Sequence, residues 1–180
     1  MSARGAPRLC GLLAAVLLLA AAPLAVLAQE GAADAAIDRW IKTHAERSKG
    51  AEHRNSRRAV IGDLNGDGRE DVAVLYTIEA ARSQADDYAL RYLAAFRRGA
   101  GGLEYEAHLL VGGKGIREVN RVTVLNGVIV LEALEYQPND KMCCPSKPAR
   151  WRYQLRAGKL VEVKNAAARK KAAAEKNSGQ

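Results

Sequence analysis

The sequence predicts an α+β domain, an N-terminal amphipathic helix followed by an antiparallel β-meander of about seven to eight strands. Three observations carry that expectation. Residues 32–47 place apolar side chains at helical spacing. From Arg57 onward the texture changes to short runs rich in β-branched and aromatic residues. Glycine-containing turns punctuate those runs.

The elements follow in chain order. Arg4 and Arg8 give a basic start, Leu9 to Ala22 is apolar, and Pro23 interrupts that run. Val26-Leu27-Ala28 then sets small residues where a signal peptidase reads. Residues 1–28 therefore read as a secretory signal cleaved after Ala28, the alternative being an uncleaved anchor over Leu9–Ala28. Cys10 would leave with the leader. A single domain is expected over residues 29–163. Its helix sets Ala33, Ile37, Trp40, Ile41 and His44 on one stripe, which lets Trp40 cover one face of the sheet. Gly50 to Ser56 is polar and ends the helix.

Strands are expected at Arg57–Gly62, Asp71–Glu79, Tyr88–Arg97, Leu103–Val111, Arg117–Leu125, Val128–Tyr136, Arg150–Arg156 and Lys159–Val163. Tyr88–Arg97 alternates as a strand would, although its alanines also tolerate a helix. Gly99-Ala100-Gly101-Gly102, Asn126-Gly127 and Ala157-Gly158 supply hairpin turns, and Asn-Gly between alternating apolar residues is the strongest such signal. Residues 164–180 form a low-complexity basic tail with no apolar stripe, expected to be disordered.

Of the formal charge of +8, the leader carries +2 and the tail +4, which leaves +2 for residues 29–163. The basic character lies mostly at the two ends, so it gives no warrant for a nucleic-acid-binding core. Composition also excludes collagen, a coiled coil, a disulfide-dense mini-protein and a multi-span membrane protein. With the leader removed no membrane span is expected, and the location is periplasmic or secreted.

The most informative stretch is Asp63-Leu64-Asn65-Gly66-Asp67-Gly68-Arg69-Glu70-Asp71. Oxygen-bearing side chains fall at its first, third, fifth and ninth positions, with glycine at the sixth. A hard cation such as calcium takes about six to eight oxygens, and a curled loop can supply them from alternate residues. Asp63, Asn65 and Asp67 would face the ion, Arg69 would offer its backbone carbonyl, and Asp71 would close the site directly or through water. An EF-hand needs a bidentate Glu at the twelfth position, where this chain has Val74. The flanks Ala59–Gly62 and Val72–Leu75 read as strands. The other reading is an acidic turn without metal.

This strand–loop–strand pattern resembles the calcium site of FG-GAP and VCBS-type (integrin-like) repeats, over about twenty residues from Arg57 to Tyr76. The Phe-Gly and Gly-Ala-Pro elements of those repeats are missing and the motif occurs once, so the resemblance implies calcium binding and not a propeller.

Cys143 and Cys144 are the cysteines left after cleavage. Three readings stand beside one another: a vicinal disulfide that stiffens its loop, an intermolecular disulfide or free thiols, and a soft-metal or redox site in which Met142 joins two thiolates. The Asp-x-x-Cys-Cys-Pro-Ser loop, with Tyr153, Gly158 and Leu160 after it, looks like small exported bacterial proteins of the mycobacterial LppP/LprE type, which implies export alone.

Gly112-Gly113-Lys114-Gly115 lacks the frame of a P-loop and reads as a connection between strands. Neither Gly-x-Ser-x-Gly nor His-Glu-x-x-His occurs, and His44, His53 and His108 are scattered. Glu132 and Glu135 cannot be paired for glycoside chemistry without a fold. Arg54, Arg57 and Arg58 read as a solvated strand edge. The functional expectation is an exported, calcium-stabilised, non-enzymatic binding or structural domain with an envelope or extracellular partner. The alternative is a periplasmic thiol or soft-metal-handling protein built on Met142, Cys143 and Cys144.

Overall fold

The computed structural model describes residues 22–80 and 89–164. The residues assigned above to the early leader, Tyr88, and most of the basic tail lie outside the described residues.

The helix α1 spans Ala22–Arg47, longer than expected at its start. No helix among the described residues is long and apolar enough to cross a membrane. At the other end Ser48 donates to the His44 carbonyl, and Lys49 turns to a left-handed φ of 52° to redirect the chain.

Nine strands follow, one or two more than expected: β1 Gly50–Glu52, β2 Arg58–Gly62, β3 Asp71–Ala80, β4 Ala89–Gly99, β5 Gly102–Gly113, β6 Glu118–Leu125, β7 Val128–Glu135, β8 Lys147–Arg156 and β9 Lys159–Glu162. The addition is β1, in a stretch the sequence marks only as polar. It pairs with the far end of β3, Gly50 opposite Ala80, while β2 pairs with the near end, Gly62 opposite Asp71. A short 3₁₀ turn, Arg54–Ser56, separates the two, so together they form one broken edge strand.

The expected meander is also divided. β1 and β2 share one edge of β3, whose other edge carries β4 and then β5, and β6-β7-β8-β9 form a second antiparallel sheet. The division falls at the tight turn Gly113–Arg117, where a bridge between those two residues passes the chain from one sheet to the other. Asn126-Gly127 and Ala157-Gly158 take positive φ at both positions, as two-residue hairpins require.

The result is three layers, with the first sheet in the middle. Ile37, Ile41 and Ala45 of α1 pack on Val72, Val74, Tyr76 and Ile78 of β3 and on Ala94 and Phe96 of β4, with Trp40 partly buried beside them. The alternate residues Ala73, Leu75, Leu93 and Ala95 pack on Val119, Val122, Ile129, Leu131 and Tyr153 of the second sheet. Both faces of β3 are therefore covered, and Val72–Ile78 is a nearly unbroken apolar run instead of an alternating one.

Candidate functional site

The aspartate loop joins β2 to β3. Its first carboxylate, Asp63, accepts the backbone N–H groups of Asn65 at 3.3 Å, Gly66 at 2.7 Å and Asp67 at 3.2 Å through Oδ1, and that of Gly68 at 2.9 Å through Oδ2. Gly66 and Gly68 both sit at positive φ, 82° and 80°, which lets successive amides turn inward. Asn65 accepts the Asp67 N–H at 2.9 Å and donates its amide to Asp67 Oδ2. Asp67 accepts the Arg69 N–H at 2.9 Å and the Arg69 guanidinium through Nε and Nη2.

These contacts set the charge. The N–H of Gly68, then those of Gly66, Asn65 and Asp67, hold the Asp63 carboxyl below its ordinary value. The backbone and side chain of Arg69 do the same for Asp67.

Asp71 stands apart from its neighbours. It is fully buried, its Oδ2 accepts the Leu64 N–H at 3.1 Å, and its Oδ1 accepts the Arg98 N–H at 2.8 Å. Leu64 is itself buried in the inter-sheet core. The loop is thus anchored by an apolar plug whose amide is clamped by a buried carboxylate. Asp63, Asn65 and Asp67 are joined by hydrogen bonds and Arg69 meets them through its N–H and guanidinium, not through the carbonyl expected to face an ion, while Asp71 turns both oxygens to backbone amides. Among the described residues no group of three or more His, Cys, Asp or Glu side chains stands ready-made around a metal position.

Cys143 and Cys144 are joined to each other as a vicinal disulfide, with Cα atoms 3.7 Å apart. That bond uses both thiols and leaves no thiolate pair for a soft metal in this form. Their loop is closed by Asp140, which accepts the N–H groups of Gln137 and Ser146 at 2.7 and 2.9 Å and the Ser146 hydroxyl at 2.8 Å. Tyr136 donates to the Met142 carbonyl at 2.6 Å. Asp140 is the first residue of the Asp-x-x-Cys-Cys-Pro-Ser motif, and its loop-closing role follows from an Asp beside a Pro-Asn pair, a turn-forming signal.

The basic cluster and the strand carboxylates find structural partners. Arg57 bonds Glu52 and Asp38, tying β1 to the helix, and Arg54 lies 3.8 Å from Asp38. Glu132 pairs with Arg150 at 3.3 Å, and Glu135 with Lys147 at 3.1 Å. Two of the histidines do meet. His44 shares a hydrogen bond with Tyr76 at 2.9 Å, His108 shares one with Tyr105 at 2.7 Å, and the two imidazole rings are 4.6 Å apart. Trp40 stacks on Tyr105 at 4.3 Å. His53 is separate, bonded to Glu79.

No family model, curated protein or solved structure matches the chain, and so none indicates catalysis.

Proposed function

We propose that this chain is an exported, non-enzymatic binding or structural domain of the cell envelope, stabilised by one calcium ion at the β2–β3 loop. The observation that carries the reading is the curled loop itself. Asp63, Asn65 and Asp67 gather on one turn whose backbone is already folded around the first carboxylate, so little ordering remains for an ion to impose. Asp63, Asn65 and Asp67 would hold the ion with the Arg69 carbonyl, and the Arg69 guanidinium would leave Asp67 as it binds. Asp71 would act from behind, through water or through the Leu64 amide. The vicinal disulfide supports export, since such bonds persist in oxidising compartments.

Thermal melting in chelator against millimolar calcium tests this, for wild type and for Asp67→Ala. With a dissociation constant on the order of 10⁻⁴–10⁻³ M, calcium at about ten times that value adds about 1.4 kcal/mol. Wild type then melts several degrees higher with calcium, magnesium substitutes poorly, and Asp67→Ala does not respond. Identical wild-type melting in both buffers, with no heat of binding, leaves the loop an acidic turn. N-terminal sequencing of exported material tests cleavage after Ala28.

A further inference from the structure

The inter-sheet core stops short at one end. Leu75 pairs with Leu93 across β3 and β4, and both face the second sheet. Two residues further along, on the same face, the pair is Thr77 and Arg91, and Arg91 lies opposite Gly112 of β5. Core positions in register with a leucine pair are thus a hydroxyl and a guanidinium. A Cβ on Gly112 would come within 2.9 Å of the Arg117 carbonyl and 3.5 Å of the Arg91 Cβ. Glycine there lets the strand crossing to the second sheet pass close behind Arg91.

Beyond that row lies a cleft of about 280 Å³, lined by Thr77, Arg91 and Arg117, with Lys114 and Glu118 also in its wall. Three cations face one acid. Much of the remaining lining is apolar: Ala89, Val119, Met142 and Pro145, with the Cys143 end of the disulfide beside them. The polar atoms are the notable feature. Among the described residues, the buried side-chain nitrogens and oxygens with no hydrogen-bond partner are Thr77 Oγ1, Arg91 Nε, and Arg117 Nε and Nη1. All belong to residues that line this one cleft. Arg91 reaches the Ser56 carbonyl at 3.4 Å through Nη2, and the Arg117 guanidinium carbon lies 3.6 Å from the centre of the Trp151 ring, with the Tyr153 side chain hydrogen-bonded to the same guanidinium. A buried guanidinium N–H without an acceptor is costly, and an oxyanion satisfies several such donors at once.

We propose that the cleft binds a small organic anion, one carboxylate or phosphate group carrying a short apolar substituent. The oxyanion takes the N–H groups of Arg91 and Arg117 and the Thr77 hydroxyl, whose unpartnered atoms are covered in the empty cleft and turn toward the anion as it enters; Lys114 adds charge, and the substituent lies against Val119, Met142 and Pro145. None of these residues belongs to the aspartate loop, so this site stands or falls apart from the calcium reading. Gly112-Gly113-Lys114-Gly115, a mere connection by sequence, is the turn that brings Lys114 and Arg117 to it.

Titration calorimetry on the full chain, in chelator and at constant ionic strength, tests the site with acetate, butyrate, inorganic phosphate and phenyl phosphate against chloride. Saturable binding is expected for at least one class, and the better class shows whether carboxylate or phosphate is the head group. Within that class the apolar-bearing anion binds about tenfold more tightly than its bare parent. Arg91→Met abolishes binding without lowering the melting temperature in chloride, because a half-buried charge whose one hydrogen bond is the long contact to the Ser56 carbonyl is replaced by an apolar side chain of similar length. Lys114→Ala, at an exposed position, weakens binding severalfold and keeps the test open if Arg91→Met does not fold. The proposal is overturned if no anion binds saturably at about 10 mM, if binding survives both substitutions, or if butyrate and phenyl phosphate bind no better than acetate and phosphate.

Discussion

Among the described residues the buried polar side chains are Asp71 and Thr77, and they stand on the same face of the same strand, six residues apart. That spacing is about 20 Å along β3. Between them Ala73 and Leu75 belong to the inter-sheet core. The two ends of that core are therefore both polar, but they are built oppositely. At the Asp71 end a buried anion meets backbone amides on both oxygens. At the Thr77 end a hydroxyl and two guanidiniums have donors with no acceptor in the protein. Complete pairing marks a structural clamp, and incomplete pairing among cations marks a place for something the chain does not supply.

The sharpest way to break this contrast is Asp71→Ala. It strands the amides of Leu64 and Arg98, each costing about 1–3 kcal/mol, so a total loss of about 2–6 kcal/mol is expected by urea unfolding in chelator. If it costs no more than Asp67→Ala under the same conditions, Asp71 is not a clamp. Thr77→Val at the other end reverses the sign. The swap removes an unpartnered hydroxyl from a site only 7% exposed, and a gain of up to about 1 kcal/mol is expected without added anion. A clear loss in that assay shows that Oγ1 has a partner in solution.

The smallest effect expected is an acid profile in two parts. Burial, then the charges of His108 and Arg47, lowers His44 from 6.5, and burial lowers His108 likewise. The unfolded chain then binds protons more readily than the fold, so stability is full above pH 6.5 and declines as the pH falls below it. Asp63 and Asp67 are lowered from 3.8 by their N–H partners, so their contribution persists above pH 3.8 and is lost beneath it. Denaturant unfolding at stepped pH should resolve a shallow early decline and a later one. His44→Phe should shrink only the first, which His108 shares, and Asp63→Asn should shrink only the second. One decline that ignores both substitutions contradicts the assignment.

The helix and most strands were legible in the sequence because their signals are local. Asn126-Gly127 and Ala157-Gly158 specify their turns through their own φ angles, and the stripe Ile37, Trp40, Ile41 falls on one helix face whatever lies opposite. β1 was not legible, since Gly50–Glu52 has no pattern of its own and is a strand only because the far edge of β3 offers it hydrogen bonds. The aspartate loop could be read because its members are consecutive. The meeting of His44 with His108, and of Thr77 with Arg91 and Arg117, could not, because each group is assembled across separate elements.

Sequence by itself determined the helix, most of the strands, where hairpins turn, and that the residues after Asp63 curl back on its carboxylate, since each depends on interactions within a few residues. Only the tertiary structure decided that the meander splits at Gly113–Arg117 into two stacked sheets. It also decided that β3 is buried on both faces, and that Thr77 and Arg91 occupy positions in line with the core. Those outcomes depend on which surfaces meet after the strands have formed. An arginine in an alternating strand reads as solvent-facing until a second sheet closes over it, and then its unpaired N–H groups become a property of the packing.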